Sequence, residues 1–221
     1  MRGHLITFEG GEGSGKSTHA ATLAERLISL GIEVVLTREP GGSPGAEVIR
    51  HILLSGVAKP LGAETEAILF AAARDDHVQT TILPALQSGQ WVISDRFIDS
   101  TRVYQGSLGS VDHRLIRSLE RVTIGSAYPD LTFILDVPPQ IGLTRASQRR
   151  GQGPADRFEA ESIEFHEKLR QAYRTLAAEE PERCIILDGR APREVVAEHI
   201  WLTVQERFLS DRARAAKRAA P

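Results

Sequence analysis

The sequence predicts an α/β fold, a parallel five-stranded sheet covered by helices on both faces and completed by an arginine-rich lid. Three observations carry this expectation. Short apolar runs alternate with helical stretches along the whole chain. A glycine-rich stretch sits between the first apolar run and the first helical one. Late in the chain, residues 145–157 hold Arg145, Arg149, Arg150 and Arg157 against a single acid, Asp156. Strands that alternate with crossover helices form parallel sheets with both faces buried.

The elements follow in order. Leu5-Ile6-Thr7-Phe8 reads as a buried strand that ends in the glycine-rich turn. Ala20, Leu23, Ala24, Leu27 and Ile28 recur at helical spacing, and Gly31 supplies a stop. Val34-Val35-Leu36 is a second strand, and Arg38-Glu39-Pro40-Gly41-Gly42-Ser43 a loop, since proline and two glycines exclude regular structure. A short helix is expected over 47–54 and a longer one within 64–86. Trp91-Val92-Ile93-Ser94 is the third strand and ends at Asp95. A helix near 114–122 precedes the fourth strand, 131–135. Residues 138–157 read as polar turns, followed by a helix over about 162–178. Cys184-Ile185-Ile186-Leu187 is the fifth strand, and a last helix runs from Arg193 to about Phe208. Residues 1–210 form one expected domain, with the lid at about 145–157. Residues 211–221, rich in alanine and basic residues, are expected to be a frayed, solvated tail.

Composition narrows the classes. Hydrophobic residues at 41% and charged residues at 25% are ordinary for a globular domain. A formal net charge of -2 argues against nucleic acid as a partner. The only cysteine, Cys184, excludes an intrachain disulfide and a cysteine zinc site, and its apolar neighbours mark it as a buried strand residue. The start of the chain reads directly into a strand rather than a signal peptide, and no apolar run reaches membrane-spanning length. A cytoplasmic location with no membrane partner is therefore expected.

Gly10-Gly11-Glu12-Gly13-Ser14-Gly15-Lys16-Ser17 matches G-x-x-x-x-G-K-[ST] in the strand–loop–helix setting that this motif needs. Its glycines let backbone amides curl round phosphate oxygens, and the helix N-terminus adds a favourable dipole. Lys16 would reach the β- and γ-phosphates of ATP, and the Ser17 hydroxyl would ligate Mg²⁺. Asp95, at the end of an apolar strand, stands where a P-loop NTPase-type fold holds the same metal. An acid at a strand end is also commonplace turn chemistry, and it is the pairing with the loop that favours the metal role. A guanine-reading Asn-Lys-x-Asp motif cannot be present, because the chain contains no asparagine. Small size and late arginines point to a nucleoside monophosphate kinase, which needs a second phosphate site and a cationic cover that excludes water.

A specific resemblance adds to this. Glu9 through Thr18, Thr37-Arg38-Glu39-Pro40-Gly41-Gly42, Leu69-Phe70-Ala71-Ala72-Ala73-Arg74, Asp95-Arg96-Phe97, Asp99 through Gly106, Leu135-Asp136-Val137-Pro138 and Asp156-Arg157-Phe158-Glu159 resemble, in this order, the bacterial thymidylate kinase family. The likeness spans roughly residues 4–208, and it is the ordered conjunction of blocks that is specific.

The resemblance implies roles. Gly10 to Thr18 would bind ATP, with Arg145 stacking on adenine. Arg38 and Arg96 would hold the phosphate of dTMP. Phe70 would stack on thymine, Arg74 would meet its O4, and Thr101 and Gln105 would line its other side. Tyr104 would pack on the sugar and Glu12 would face the 3′-hydroxyl. On spacing alone, Phe70 and Arg74 share a helix face, and the favoured reading is then a core ring and a snorkelling guanidinium. Lys16, Arg96 and Arg149 or Arg150 would be catalytic; the lid is about a residue longer than in some relatives, which leaves these two as alternatives, and Arg150, the one before Gly151, is favoured. Phe97 departs from the family's usual tyrosine or histidine and offers no polar contact. A homodimer is also implied. The alternatives are a kinase for another pyrimidine nucleotide and a nucleotide-sensing protein that has lost catalysis.

Overall fold

The computed structural model describes residues 2–151 and 157–210. Part of the expected lid, residues 152–156, and the basic tail, residues 211–221, lie outside the described residues. Five strands, β1 Leu5–Glu9, β2 Val34–Arg38, β3 Trp91–Asp95, β4 Leu131–Asp136 and β5 Cys184–Asp188, form one sheet in the order β2-β3-β1-β4-β5. Every pairing is parallel.

Parity along β1 decides what each face receives. Ile6 and Phe8 join one core with α1 (Lys16–Ser29) and α9 (Arg193–Val204), through Leu23, Leu27, Ile200 and Trp201. Leu5 points the other way, into a cluster with Val78, Ile82, Leu86 and Ile98. Successive strand side chains alternate faces, so Thr7 and Glu9 share the side of Leu5. Both are fully buried, which places a carboxylate beneath the carboxyl end of the central strand.

Between β2 and β3 run α2 (Pro44–Leu54), α3 (Gly62–His77) and α4 (Leu83–Gln87). The longer helix expected within 64–86 is α3, which continues into a wider, π-helical turn at Val78–Ile82. Pro84 follows directly and has no amide to give the carbonyl four residues back, so the helical ladder loosens there. After β3 come α5 (Ile98–Thr101), a second π-helical turn at Arg102–Leu108, and α6 (His113–Ile124).

The stretch read as polar turns, 138–157, is instead largely helical, with α7 spanning Pro139–Arg150, while α8, Ile163–Glu179, falls where a helix was expected. Pro139 at the first helical turn loses no hydrogen bond, and Gln, Leu, Arg and Ala then propagate the helix. Its polarity reflects a helix with few buried positions, namely Pro139, Gly142 and Ala146. Cys184 is buried in β5, and burial pushes its thiol up to about 12.

Candidate active site

A cavity of about 340 Å³ opens beyond the carboxyl ends of β1, β2 and β3, the crevice where open α/β sheets bind ligands. The loop after β1 forms its floor. Gly13 has a positive φ of 62°, and a Cβ there would lie 1.9 Å from the Gly142 carbonyl oxygen. The phosphate-binding loop and the start of α7 thus pack backbone to backbone, which ties the loop to the helix that carries Arg145, Arg149 and Arg150.

Lys16 is folded back on this loop and donates to the carbonyls of Gly11 at 2.8 Å and Gly10 at 3.2 Å. Burial and the Arg96 charge push its ammonium below the ordinary value, against the opposing pull of Glu12 and Asp95. Ser17 Oγ donates to Asp95 Oδ2. Phe8 is in register with Asp95 across the β1–β3 ladder, so strand pairing itself brings that carboxylate to the loop. A hydroxyl and a carboxylate side by side are hard oxygen donors of the kind Mg²⁺ takes beside substrate phosphates. No group of three or more His, Cys, Asp or Glu side chains suited to a metal exists among the described residues. The pair fits the metal that the loop motif implies.

Arg96 stands at the centre of the floor. Its φ of 70° is left-handed, uncommon for a residue with a Cβ. The next turn is held by Glu9, whose carboxylate accepts from the amides of Phe97 at 2.8 Å and Ser100 at 3.1 Å, and from the hydroxyls of Ser100 and Tyr173. Burial, with Asp99 nearby, pushes Glu9 up to about 6, although Arg96 and these hydrogen bonds oppose the shift. Arg96 Nη2 donates to Glu12 at 2.5 Å and Nη1 reaches Gly10 O, Ser100 and Tyr173. Burial would raise Glu12, but Arg96 and Lys16 outweigh it and hold the carboxyl at about 2. The Tyr104 hydroxyl also donates to Glu12, at 3.3 Å.

The far wall is built by α3, α5 and the π-helical turn. Phe70 and Arg74 both line the cavity from α3, and Thr101, Tyr104 and Gln105 line it from the opposite side. Wide helical turns often mark functional sites; here the turn buries Tyr104 and Gln105 against the cavity. Arg74 is 3% exposed and donates to Glu39, Thr101 and the Phe97 carbonyl. Phe97 is fully buried, and what it offers the site is this carbonyl.

Of the remaining sequence-predicted residues, Arg38 lines the cavity while paired with Glu47 at 2.9 Å. Arg149 lines it as well, 3.7 Å from Glu159. Arg150, the favoured lid cation, pairs with Glu159 and is not on the cavity wall. Arg145 donates to the Gly189 carbonyl at 2.9 Å, beside the Ser14 end of the loop rather than in the cavity.

Sequence reasoning missed Arg50, Leu54 and Phe158 as cavity residues. Arg50 and Leu54 share a face of α2 with Glu47, and that spacing was the available signal. Phe158 reaches the site by contacts distant in sequence: its ring lies 5.1 Å from Tyr104, edge on, and 6.4 Å from Phe70.

A phosphate-binding-loop motif at one end, arginines across the middle and a wall of Phe70, Arg74, Thr101 and Gln105 beyond them are the features of a P-loop phosphotransferase. The sequence model of the thymidylate kinase family matches residues 8–200. A thymidylate kinase from Nitrobacter winogradskyi is 59% identical, covering 99% of this chain and 96% of its own. One from Afipia carboxidovorans is 60% identical, over 95% of this chain and 92% of its own. The crystal structure of thymidylate kinase from Ehrlichia chaffeensis superposes with a TM-score of 0.74 at 34% identity, covering 93% of this chain and 99% of that one. The chain belongs to the thymidylate kinase family.

Proposed function

We propose that this kinase transfers the γ-phosphoryl of ATP to the phosphate of dTMP, giving dTDP and ADP, a step in dTTP synthesis. The observation that carries this reading is the buried Arg74 guanidinium on the cavity wall, flanked by Phe70 and Thr101 and separated from the phosphate loop by Arg96. Thymine would lie against Phe70, with its O4 at Arg74 and its other edge at Thr101 and Gln105. The sugar would meet Tyr104 and Glu12. Arg38, Arg96 and Arg50 would hold the acceptor phosphate, the first once released from Glu47.

ATP would place its phosphates over Gly10 to Thr18 and its adenine beside Arg145. Ser17 and Asp95 would hold Mg²⁺. The metal, when bound, draws charge from the β- and γ-phosphates and fixes their orientation. An oxygen of the acceptor phosphate forms a bond to the γ-phosphorus as the bond to the β–γ bridging oxygen breaks, and ADP leaves with that electron pair. The attacking phosphate is already ionised, so no general base is required. Lys16, Arg96 and Arg149 carry the remaining burden, which is positioning and charge neutralisation.

Residues 1–210 would act as one kinase domain, closed by the segment 145–157. Dimerisation is supported by exposed apolar side chains on helices that pack on each other: Val48 and Ile52 of α2, Ile68 of α3 and Val122 of α6. Light scattering at the dimer mass is expected, and a monomer mass at micromolar concentration would overturn it. Among the described residues no helix is long and apolar enough to cross a membrane; the proposed site of action is the cytoplasm, where ATP is the donor.

The test is magnesium-dependent ADP formation with dTMP, dUMP, UMP, CMP, AMP and GMP offered separately. A strong preference for dTMP is expected. Preference for another monophosphate removes Phe70, Arg74 and Thr101 as a thymine site, and no turnover on any favours a sensor.

A further inference from the structure

Arg74 has five N–H donors, and the protein uses three of them. Nε donates to Glu39 Oε2 at 2.8 Å, and Nη2 donates to Thr101 Oγ1 at 3.0 Å and the Phe97 carbonyl at 3.2 Å. Only Nη1 has no protein partner among the described residues, on a side chain that lines the cavity. The guanidinium is planar, so fixing Nε and Nη2 fixes where Nη1 points.

What fixes Nε is itself held from behind. Glu39 is 6% exposed, and its second oxygen, Oε1, lies 3.0 Å from Nδ1 of the fully buried His77. His77 Nε2 in turn lies 2.7 Å from Thr37 Oγ1. A Cβ on Gly42 would come within 2.4 Å of both His77 Nε2 and Thr37 Oγ1. The loop after β2 thus closes tightly on the imidazole, and Thr81 holds Gly42 there through its carbonyl at 3.0 Å. Thr37, His77, Glu39 and Arg74 make one chain of hydrogen bonds, half-buried at Thr37 on β2 and buried from His77 to the cavity wall.

We propose that Glu39 and His77 are positioning residues for acceptor-base selection, holding Arg74 so that only its Nη1 edge faces the ligand. This rests on the reading that Arg74 meets the base. A donor edge locked in place pairs with the carbonyl of a 4-oxo pyrimidine. It opposes the amino group of a 4-amino pyrimidine, donor against donor, and cannot turn away to relieve the clash. An unlocked guanidinium both binds the oxo base less well and tolerates the amino base better, because it can rotate or admit water. The carboxylate sets the plane of the guanidinium, and the imidazole sets the rotation of the carboxylate.

The wild-type enzyme is assayed first on dTMP and dCMP; no preference for dTMP removes the underlying base reading before any variant is made. Glu39→Gln, checked for folding by circular dichroism and melting, is expected to raise KM for dTMP about tenfold. Its KM for ATP should stay unchanged, and the ratio of kcat/KM for dTMP over dCMP should fall by a similar factor. His77→Leu should move the same two quantities less, and His77→Gln, which keeps a donor for Glu39, should recover most of the loss. A folded Glu39→Gln variant with wild-type KM and selectivity overturns the proposal, as does a KM for ATP that rises in step with that for dTMP. If Glu39→Gln does not fold, an unchanged dTMP to dCMP ratio in His77→Leu overturns it alone.

Discussion

On the base-facing wall, the Arg74 and Glu39 side chains are 3% and 4% exposed and meet at 2.8 Å. Across the cavity, Arg149 is 64% exposed and lies 3.7 Å from Glu159. Both are arginine–glutamate pairs, yet they belong to different physical regimes. A buried guanidinium left without its carboxylate strands a charge at a cost of several kcal/mol. An exposed guanidinium such as Arg149 stays in water when it leaves its partner, and its contact with Glu159, 8% exposed and also held by Arg150, contributes at most about 1 kcal/mol. The first arrangement suits a group that must not move while it distinguishes one base from another. The second suits a group that must leave its partner and reach a transferring phosphoryl group. Glu159 serves Arg149 and Arg150 together, so the lid can exchange partners without leaving an acid stranded.

The largest effect is expected from the floor shared by both walls. Lys16→Ala should lower kcat by about 10³-fold or more in a steady-state ADP assay. A near-normal rate would remove the loop from the chemistry and make the contrast between the walls irrelevant. Next comes the lid. Arg149→Ala should cost about 10²-fold in kcat with little change in melting temperature. Arg150→Ala should cost less, because its side chain is not at the cavity. If the two are reversed, closure brings Arg150 inward and the sequence reading was the better guide to the closed state.

Arg74→Ala sharpens the contrast from the other side. Dissociation of dTMP, followed by calorimetry, should weaken about 10- to 100-fold. ATP affinity should hold, and unfolding free energy should drop by about 3–5 kcal/mol because the buried Glu39 loses its guanidinium and keeps only His77. A stable variant with lost dTMP affinity would show that water reaches Glu39 easily, and that the base wall is softer than its burial suggests.

The smallest effect is a pH-dependent one at Glu12. Its carboxyl is held at about 2 instead of the ordinary 4.5. Because the folded value is the lower, the charged form adds stability above pH 4.5, and this is lost as pH falls towards 2. The upper bound is about 3 kcal/mol. The difference in unfolding free energy between wild type and Glu12→Gln should therefore shrink across that interval in urea titrations at stepped pH. A difference independent of pH would mean that packing, and not the charge beside Arg96, accounts for it.

Legibility was uneven for physical reasons. The five strands were readable because each, five or six residues long, carries three or four apolar residues, and their ends differ by at most two residues from expectation. The helix α7 was missed because it buries three positions only, too few for an apolar period to register. The residues Phe70, Arg74, Thr101, Tyr104 and Gln105 were named from a family likeness, and the fold does gather them on one cavity. Their spacing alone favoured a core ring for Phe70 and a snorkelling surface cation for Arg74.

The sequence by itself determined the alternation of strands and helices, the glycine loop with Lys16 and Ser17, and the absence of a guanine-reading motif, since these are written in neighbouring residues. Tertiary structure alone decided that Arg149 and not Arg150 lines the cavity, that Arg50 and Phe158 join it, and that Glu39 and His77 stand behind Arg74. Glu39 lies 35 positions from Arg74 along the chain, and Glu9 lies 164 from Tyr173. Pairings over such separations follow from how helices rotate and seat on the sheet, which is set by the packing of the whole core and by no local run of residues.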